Sequence, residues 1–282
     1  MRYLTIIIIC ILFSSQLKAS PQAPDFLIIG QDTFAIYFLP LNKLDTNRQK
    51  IFFGKLQSDS TDFLISTNLW RGYQAYWQLI DNKLYLVGLR GNHNYDKIFQ
   101  ATFGDNFQNG KVLANWFSSY LTIAKGKMLK WDGIFSRTYF KEEMFEFKKG
   151  TLVDRKIVDN YIPVKNGISR LDSNRKHITD TLFSLIKRLN WKKLSDCDCD
   201  DKYLISVNGK GKIGKIELIP YTNNKDTAQM EIEDHKKCIK KFKKQIKNLQ
   251  FDIVKWHGKD YDDKYYLEMF YTVEGELEDW TR

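Results

Sequence analysis

The chain has little of what enzymes use most. It carries only four histidines, His93, His177, His235 and His257, and none falls in a recognised short motif. There is no His-Glu-x-x-His, no Gly-x-Ser-x-Gly and no glycine-rich phosphate loop, so zinc-protease, serine-hydrolase and nucleotide chemistry all lack their usual scaffolding. Cys-x-x-Cys is also absent, which removes the common zinc spacing. Five prolines and sixteen glycines are spread thinly over 282 residues. No Pro-rich spacer, internal repeat or low-complexity tail results. After the first twenty residues no apolar run approaches the roughly 20 residues needed to span a bilayer. Beyond its leader the protein is therefore expected not to be integral to a membrane.

What is present begins at the N-terminus. Arg2 gives a positive start, and Leu4 to Phe13 form a short apolar block around Ile6-Ile7-Ile8-Ile9. Leu17-Lys18-Ala19 followed by Ser20-Pro21 reads as a cleavage site after Ala19. Charge, short apolar block and small residue in that order form a secretory signal over residues 1–19. A retained anchor helix is the alternative. Cys10 lies inside the block, which argues against a lipoprotein anchor. The expected location is periplasmic or secreted.

About 263 residues remain, enough for two ordinary domains. Aromatics make up 15% of the chain, so a packed core is expected rather than disorder. The net charge is +10, and +8 once Arg2 and Lys18 leave with the leader. A basic exported chain suits an envelope protein or an anionic surface. Nucleic acid is a poor partner in that compartment. No cofactor and no metal are expected.

Residues 25–160 read as an antiparallel β-rich domain, a sandwich or a partly open barrel. Asp81-Asn82 between two apolar runs predicts a tight hairpin, because both residues tolerate positive φ. A long strand pair is expected over Val112 to Leu129 and Thr138 to Phe147, with Lys148-Lys149-Gly150 as the next turn. Tyr95 to Phe103 suits a short helix. Ile162 to Gly167 reads as a linker. Residues 170–282 then form a small α+β domain, for an overall α+β class. Ile178, Leu182, Leu185, Ile186 and Leu189 predict a helix over 174–190. Asn208-Gly209-Lys210-Gly211 predicts a hairpin, and one long helix is expected from Met230 to Leu249. Its stripe is Ile232, His235, Cys238, Ile239, Phe242, Ile246 and Leu249, and it should lie on an antiparallel sheet.

Several constellations carry possible chemistry. Lys236, Lys237, Lys240, Lys241, Lys243, Lys244 and Lys247 crowd the long helix and suit an anionic partner or simply a solvated face. Asp196-Cys197-Asp198-Cys199-Asp200-Asp201 imitates a calcium loop, but Asp201 and Val207 stand where Gly and Glu are required. Cys197, Cys199 and Cys238 allow a disulfide from Cys238 to either partner, free thiols, or a metal site with His235. Trp70, Arg71, Tyr73, Tyr76 and Trp77 could stack on a sugar or grip a peptide, or fill a core. Glu142, Glu143 and Glu146 on a strand offer carboxylates for glycosidase chemistry, or solvated charges.

The C-terminal segment resembles a divergent TonB C-terminal domain over about residues 190–275. The likeness is carried by Tyr203-Leu204-Ile205-Ser206-Val207, the Asn208-Gly209-Lys210-Gly211 turn, Lys212-Ile213-Gly214-Lys215-Ile216, the helix with Cys238, and Leu249-Gln250-Phe251. Trp256-His257-Gly258-Lys259 stands for the family's Trp-centred stretch and turn, and Leu267-Glu268-Met269-Phe270 for its closing strand. No retained anchor and no Pro-rich spacer accompany it, so the resemblance implies protein contact rather than energy transduction. The N-terminal half is similar to uncharacterised secreted proteins of Gram-negative bacteria, which brings no activity with it. The expected function is a non-enzymatic envelope protein-binding or structural module. Its contacts are expected through Lys237, Lys241, Lys244 and the strand Tyr265 to Tyr271, with Trp70, Arg71, Tyr73 and Trp77 as a second surface. The alternatives are an envelope hydrolase using Glu142 and Glu143 beside Trp70, and a metal- or redox-linked protein using the late cysteines.

Overall fold

The computed structural model describes residues 21–58, 66–90, 95–189, 191, 199–274 and 276–281. The leader, His93 and Cys197 lie outside the described residues. Strands and helices alternate irregularly, an α+β composition. The chain divides into two compact units: residues up to Arg137 with Glu142–Ile157, and Thr138–Lys141 with Val158–Arg282. Among the described residues no helix is long and apolar enough to cross a membrane.

The strands of unit 1 are β1 (Asp25–Ile29), β2 (Asp32–Ile36), β3 (Gln74–Ile80), β4 (Lys83–Arg90), β5 (Phe107–Gln108), β6 (Lys111–Leu113), β7 (Tyr120–Ala124) and β8 (Met128–Trp131). After β9 (Arg137–Tyr139) come β10 (Lys141–Lys148) and β11 (Thr151–Asp159). Two helices, α1 (Thr46–Ser58) and α2 (Tyr95–Phe103), interrupt them. One sheet runs in the order β2-β1-β3-β4-β11-β10-β7, with β6 on β4 and β5 on β6. Its end strands β2 and β7 lie side by side. Phe38 meets Tyr120, and the Lys125 ammonium sits over the Phe34 ring, so the sheet is curled rather than flat.

The all-antiparallel expectation needs correction. β1 runs parallel to β3, pairing Phe26 with Tyr76 and Ile29 with Leu79. Parallel neighbours need a crossover, and α1 supplies it. No element was expected there. Its start is fixed by Asp45, whose side chain accepts the Arg48 N–H at 2.9 Å, and its buried contacts are only Phe52 and Leu56. The long strand expected over Val112 to Leu129 is broken into β6, β7 and β8. The Asp81-Asn82 hairpin forms as expected, with φ of 46° and 59°. Lys149 and Gly150 also turn at positive φ. A Cβ on Gly150 would lie 2.6 Å from the Ala114 carbonyl oxygen, so only glycine fits. The core is strongly aromatic, with Phe52, Tyr73, Trp77, Phe99, Phe117 and Phe145 fully buried.

Unit 2 holds β12 (Tyr161–Ile162), α3 (Arg175–Lys187), β13 (Lys202–Val207), β14 (Ile213–Leu218), α4 (Lys225–Asp234), α5 (Lys236–Ile246), β15 (Ile253–Trp256), β16 (Lys259–Asp260), β17 (Asp263–Tyr271) and β18 (Leu277–Asp279). The main sheet is β14-β13-β17-β18, antiparallel throughout, and β15 joins a separate small sheet between β12 and β16. Two helices contribute to its core rather than one. Ile178, Leu182 and Ile186 of α3, with Cys238, Phe242 and Ile246 of α5, are fully buried beside Tyr203, Ile205 and Leu267. Each large aliphatic or aromatic side chain so buried contributes about 1.5–3 kcal/mol.

The segment expected as a linker is held inside this unit. Val164 N donates to Asp252 Oδ1 at 2.8 Å, and Gly167 N donates to the Val164 carbonyl at 2.8 Å. The Asn208 turn is wider than a two-residue hairpin: Asn208 N donates to Lys212 O, and Asn208 Oδ1 accepts from Lys210 N and Lys212 N. Positive φ falls on Gly211, where a Cβ would lie 2.2 Å from the Phe251 carbonyl oxygen.

The single long helix is also corrected. It is two helices meeting at His235, where φ is −84° and ψ −2°. The His235 ring supplies the reason. Its Nδ1 lies 2.7 Å from the Glu231 carbonyl, which also accepts the His235 backbone N–H at 3.2 Å. A side chain bonding to its own i−4 carbonyl competes with the helix ladder and disturbs it.

Candidate functional site

The lysine face of α5 is built by periodicity. Cys238, Phe242 and Ile246 fall on one side and enter the core, which leaves Lys237, Lys240, Lys241, Lys243, Lys244 and Lys247 exposed on the others. Lys236 pairs with Glu233 at 2.5 Å; the other six have no acidic partner within 4 Å among the described residues. α4, just before it, is acidic, with Asp226, Glu231, Glu233 and Asp234. The acids therefore sit toward the positive end of the helix pair and the lysines toward its negative end.

A second feature lies on the sheet. β18 covers β17 only at Met269 to Tyr271, and Trp280 N reaches Glu268 O at 2.8 Å. Further back on that edge, Lys264 O accepts Arg175 Nη2 at 2.7 Å. Tyr266, between them, faces no strand on that side among the described residues. A cleft of about 500 Å³ opens at this gap, lined by Arg175, Lys176, Thr179, Tyr265, Tyr266 and Thr281. The Arg175 guanidinium stands 5.0 Å over the Tyr265 ring. Burial, then the neighbouring Asp263, raises the Tyr265 hydroxyl well above its ordinary range, so it stays a neutral donor. Burial and a hydrogen bond to Glu268 do the same for Tyr266.

β13, between β14 and β17, is fixed at both ends. At its start Cys199 is bridged to Cys238 of α5, which settles the cysteine alternatives for those two residues. Beside the bridge, His235 Nε2 lies 3.2 Å from Asp201 Oδ2 without a well-aligned hydrogen bond. Burial raises the Asp201 carboxyl, opposed by the Lys202 N–H and by His235. At its far end Arg170 is fully buried. It donates to the carbonyls of Val207, Asn208, Asp252 and Tyr261 and to Asp263 Oδ2 at 3.0–3.3 Å. Sequence reading missed Arg170; its one signal is an arginine before a predicted helix with no exposed role.

The aromatic cluster of unit 1 is placed differently from its candidate role. Tyr73 and Trp77 are fully buried and turn no ring to solvent. They surround Asp25, which is also buried. Asp25 accepts Arg71 Nη2 at 2.8 Å, Ala75 N at 3.1 Å and Trp77 Nε1 at 3.2 Å. Burial raises the Asp25 carboxyl, and the Arg71 charge and these donors oppose it. Only Trp70 of the set is well exposed, at 60%. In unit 2 Tyr265 is likewise in the core, while Tyr271 is exposed.

Glu142 and Glu143 are neighbours on β10 and so point to opposite faces of the sheet. Glu143 is bound by Arg155 at 2.5 Å and Lys125 at 3.0 Å. Burial works against its ionisation, but the hydrogen bonds and charges of those two cations outweigh it and hold the carboxyl below its ordinary range. A carboxylate held that way is a poor general acid. Among the described residues no group of three or more His, Cys, Asp or Glu is placed to hold a metal ion. No family model, curated protein or solved structure matches the chain.

Proposed function

We propose that the chain is an exported, non-enzymatic protein of the cell envelope, periplasmic or secreted, whose C-terminal unit binds another protein. The observation that carries this reading is the lysine face of α5, six cations without acidic partners on a helix whose apolar side is already consumed by its own core. Such a helix cannot bury itself in a membrane, yet it presents a dense positive field suited to an acidic partner. The partly uncovered edge of β17 beside Arg175 and Lys176 adds a place where an extended segment can pair. The Cys199–Cys238 bridge suits an oxidising compartment. The TonB C-terminal resemblance, which rests on the residues from Tyr203 to Phe270, is used here for protein contact only.

The hydrolase alternative has less support, because Glu142 and Glu143 diverge and Tyr73 and Trp77 are inside the core. The test is capture from an envelope extract with the exported chain and with the Lys237→Glu, Lys241→Glu, Lys244→Glu triple variant. Recovery of the partner is expected to fall by about tenfold or more in the variant, since three reversals at a charged interface each weaken it. Equal recovery of the same partners by both baits rejects the lysine face as the contact.

A further inference from the structure

α4 is a helix without a core of its own. It is ten residues long, none of them is buried, and Met230 stands 60% exposed. A helix that short is marginal in water unless a neighbour packs on it. Asn224 caps its start by accepting the Asp226 and Thr227 N–H groups, which fixes where it begins but covers little of its surface.

The helical turn carries through the junction with α5. His235 N donates to Glu231 O at 3.2 Å, and Ile239 N donates to His235 O at 3.0 Å. Both bonds reach four residues back, so α4 and α5 keep nearly one phase over about 33 Å of helix. Away from the core, Asp226, Met230, Glu233, Lys237, Lys240 and Lys244 are all exposed. Their spacing alternates four and three, the spacing of a coiled-coil seam. The seam is antisymmetric about His235. Glu233 stands as far before it as Lys237 stands after, Met230 answers Lys240, and Asp226 answers Lys244. Reversed end to end, the seam is its own complement.

We propose that a second copy of this chain is an acidic partner of the α5 lysines. The two copies lie antiparallel across a two-fold axis beside His235, α4 of each on α5 of the other. This rests on the protein-binding reading of the lysine face and names its partner. Lys244 meets Asp226 and Lys237 meets Glu233, each twice by symmetry, and the Lys240 stem covers Met230. Among the described residues those three lysines and Asp226 form no ion pair within their own copy, while Glu233 already holds Lys236 at 2.5 Å and is shared. The positive net charge of the chain opposes association. It is screened beyond about 8–10 Å at physiological salt, whereas the seam pairs meet at contact. So short a seam makes a weak dimer.

The test is sedimentation of the chain from Ser20 onward over a concentration series. Monomer and dimer in exchange are expected at physiological salt, and monomer alone at high salt. Asp226→Lys with Glu233→Lys should weaken association by about tenfold or more, and Lys237→Glu with Lys240→Glu and Lys244→Glu by as much. Each variant alone sets like charges along the seam. Mixed, they set a seam of acids against a seam of lysines, so the mixture should recover a dimer that neither forms alone. That recovery also shows that both variants fold. In the unsubstituted protein, carbodiimide coupling of an isotope-mixed sample should join Lys244 of one copy to Asp226 of the other, a readout that needs no variant. Monomer at every concentration overturns the proposal. So does association untouched by the acid substitutions, a mixture that stays monomeric, or the absence of the mixed-isotope link. If the protein is monomeric while the α5 triple variant still loses its envelope partner, this inference falls and the protein-binding reading stands. If capture is unchanged as well, both fall.

Discussion

In unit 1 an acid is the hub: Asp25 gathers Arg71, the Ala75 N–H and the Trp77 indole, all from one seven-residue stretch at the start of β3. In unit 2 an arginine is the hub, and Arg170 ties Val207, Asn208, Asp252, Tyr261 and Asp263, which come from three separate parts of the chain. The first arrangement fastens one strand pair, β1 to β3, inside a core already rich in aromatics. The second is added to a core that unit 2 also has: a buried cation closes one end of β13 and a disulfide the other. A guanidinium with five donors can satisfy several carbonyls at once, whereas a carboxylate can only accept. Among the described residues, unit 1 therefore rests on packing, whereas unit 2 adds cross-links to packing of its own.

That comparison can be broken by calorimetry. Arg170→Ala removes the nearer cation from the buried Asp263 carboxylate and the donor from the carbonyls of Val207, Asn208, Asp252 and Tyr261, at a cost of about 3–5 kcal/mol. The unit 2 transition should fall while that of unit 1 stays in place; a common shift would show that the units do not melt separately. Next in size is Cys238→Ser or reduction. The bridge spans a sequence separation of 39 residues, and the chain-entropy model gives about 3–4 kcal/mol for a loop of that size, again confined to unit 2. Trp77→Phe removes a donor from Asp25 and shrinks a fully buried ring, which together should cost unit 1 about 1–3 kcal/mol and leave unit 2 untouched. The smallest effect sharpens the contrast through pH. Glu143 is held below its ordinary range, so its contribution is present above the ordinary carboxylate range and is lost as pH falls through the lowered value. Its cations are partly exposed, so Glu143→Gln should cost about 1 kcal/mol or less at neutral pH. Denaturation curves of variant and parent should converge in acid.

Much of the local structure was readable. Asp81-Asn82 could only turn tightly, and the spacing of Ile178, Leu182 and Ile186 marked the buried face of α3. The stripe of α5 was read correctly, but its break at His235 was not, because a ring bonding back to Glu231 leaves no trace in periodicity. α1 escaped because Phe52 and Leu56 are its only buried residues. Trp70, Arg71, Tyr73 and Trp77 read either as one contact surface or as sheet core. The fold divides them: Tyr73 and Trp77 go into the core beside an acid about fifty residues away, and Trp70 stays outside.

Composition and spacing alone determined the aromatic core, the hairpin turns, the helix faces and the lysine surplus, since each depends on neighbours within a few residues. Tertiary structure decided the parallel seat of β1 against β3, which of the cysteines joins Cys238, and the burial of Arg170 and Asp25. These depend on pairings across tens of residues, where one partner's chemistry is silent until the fold brings the other within hydrogen-bonding distance.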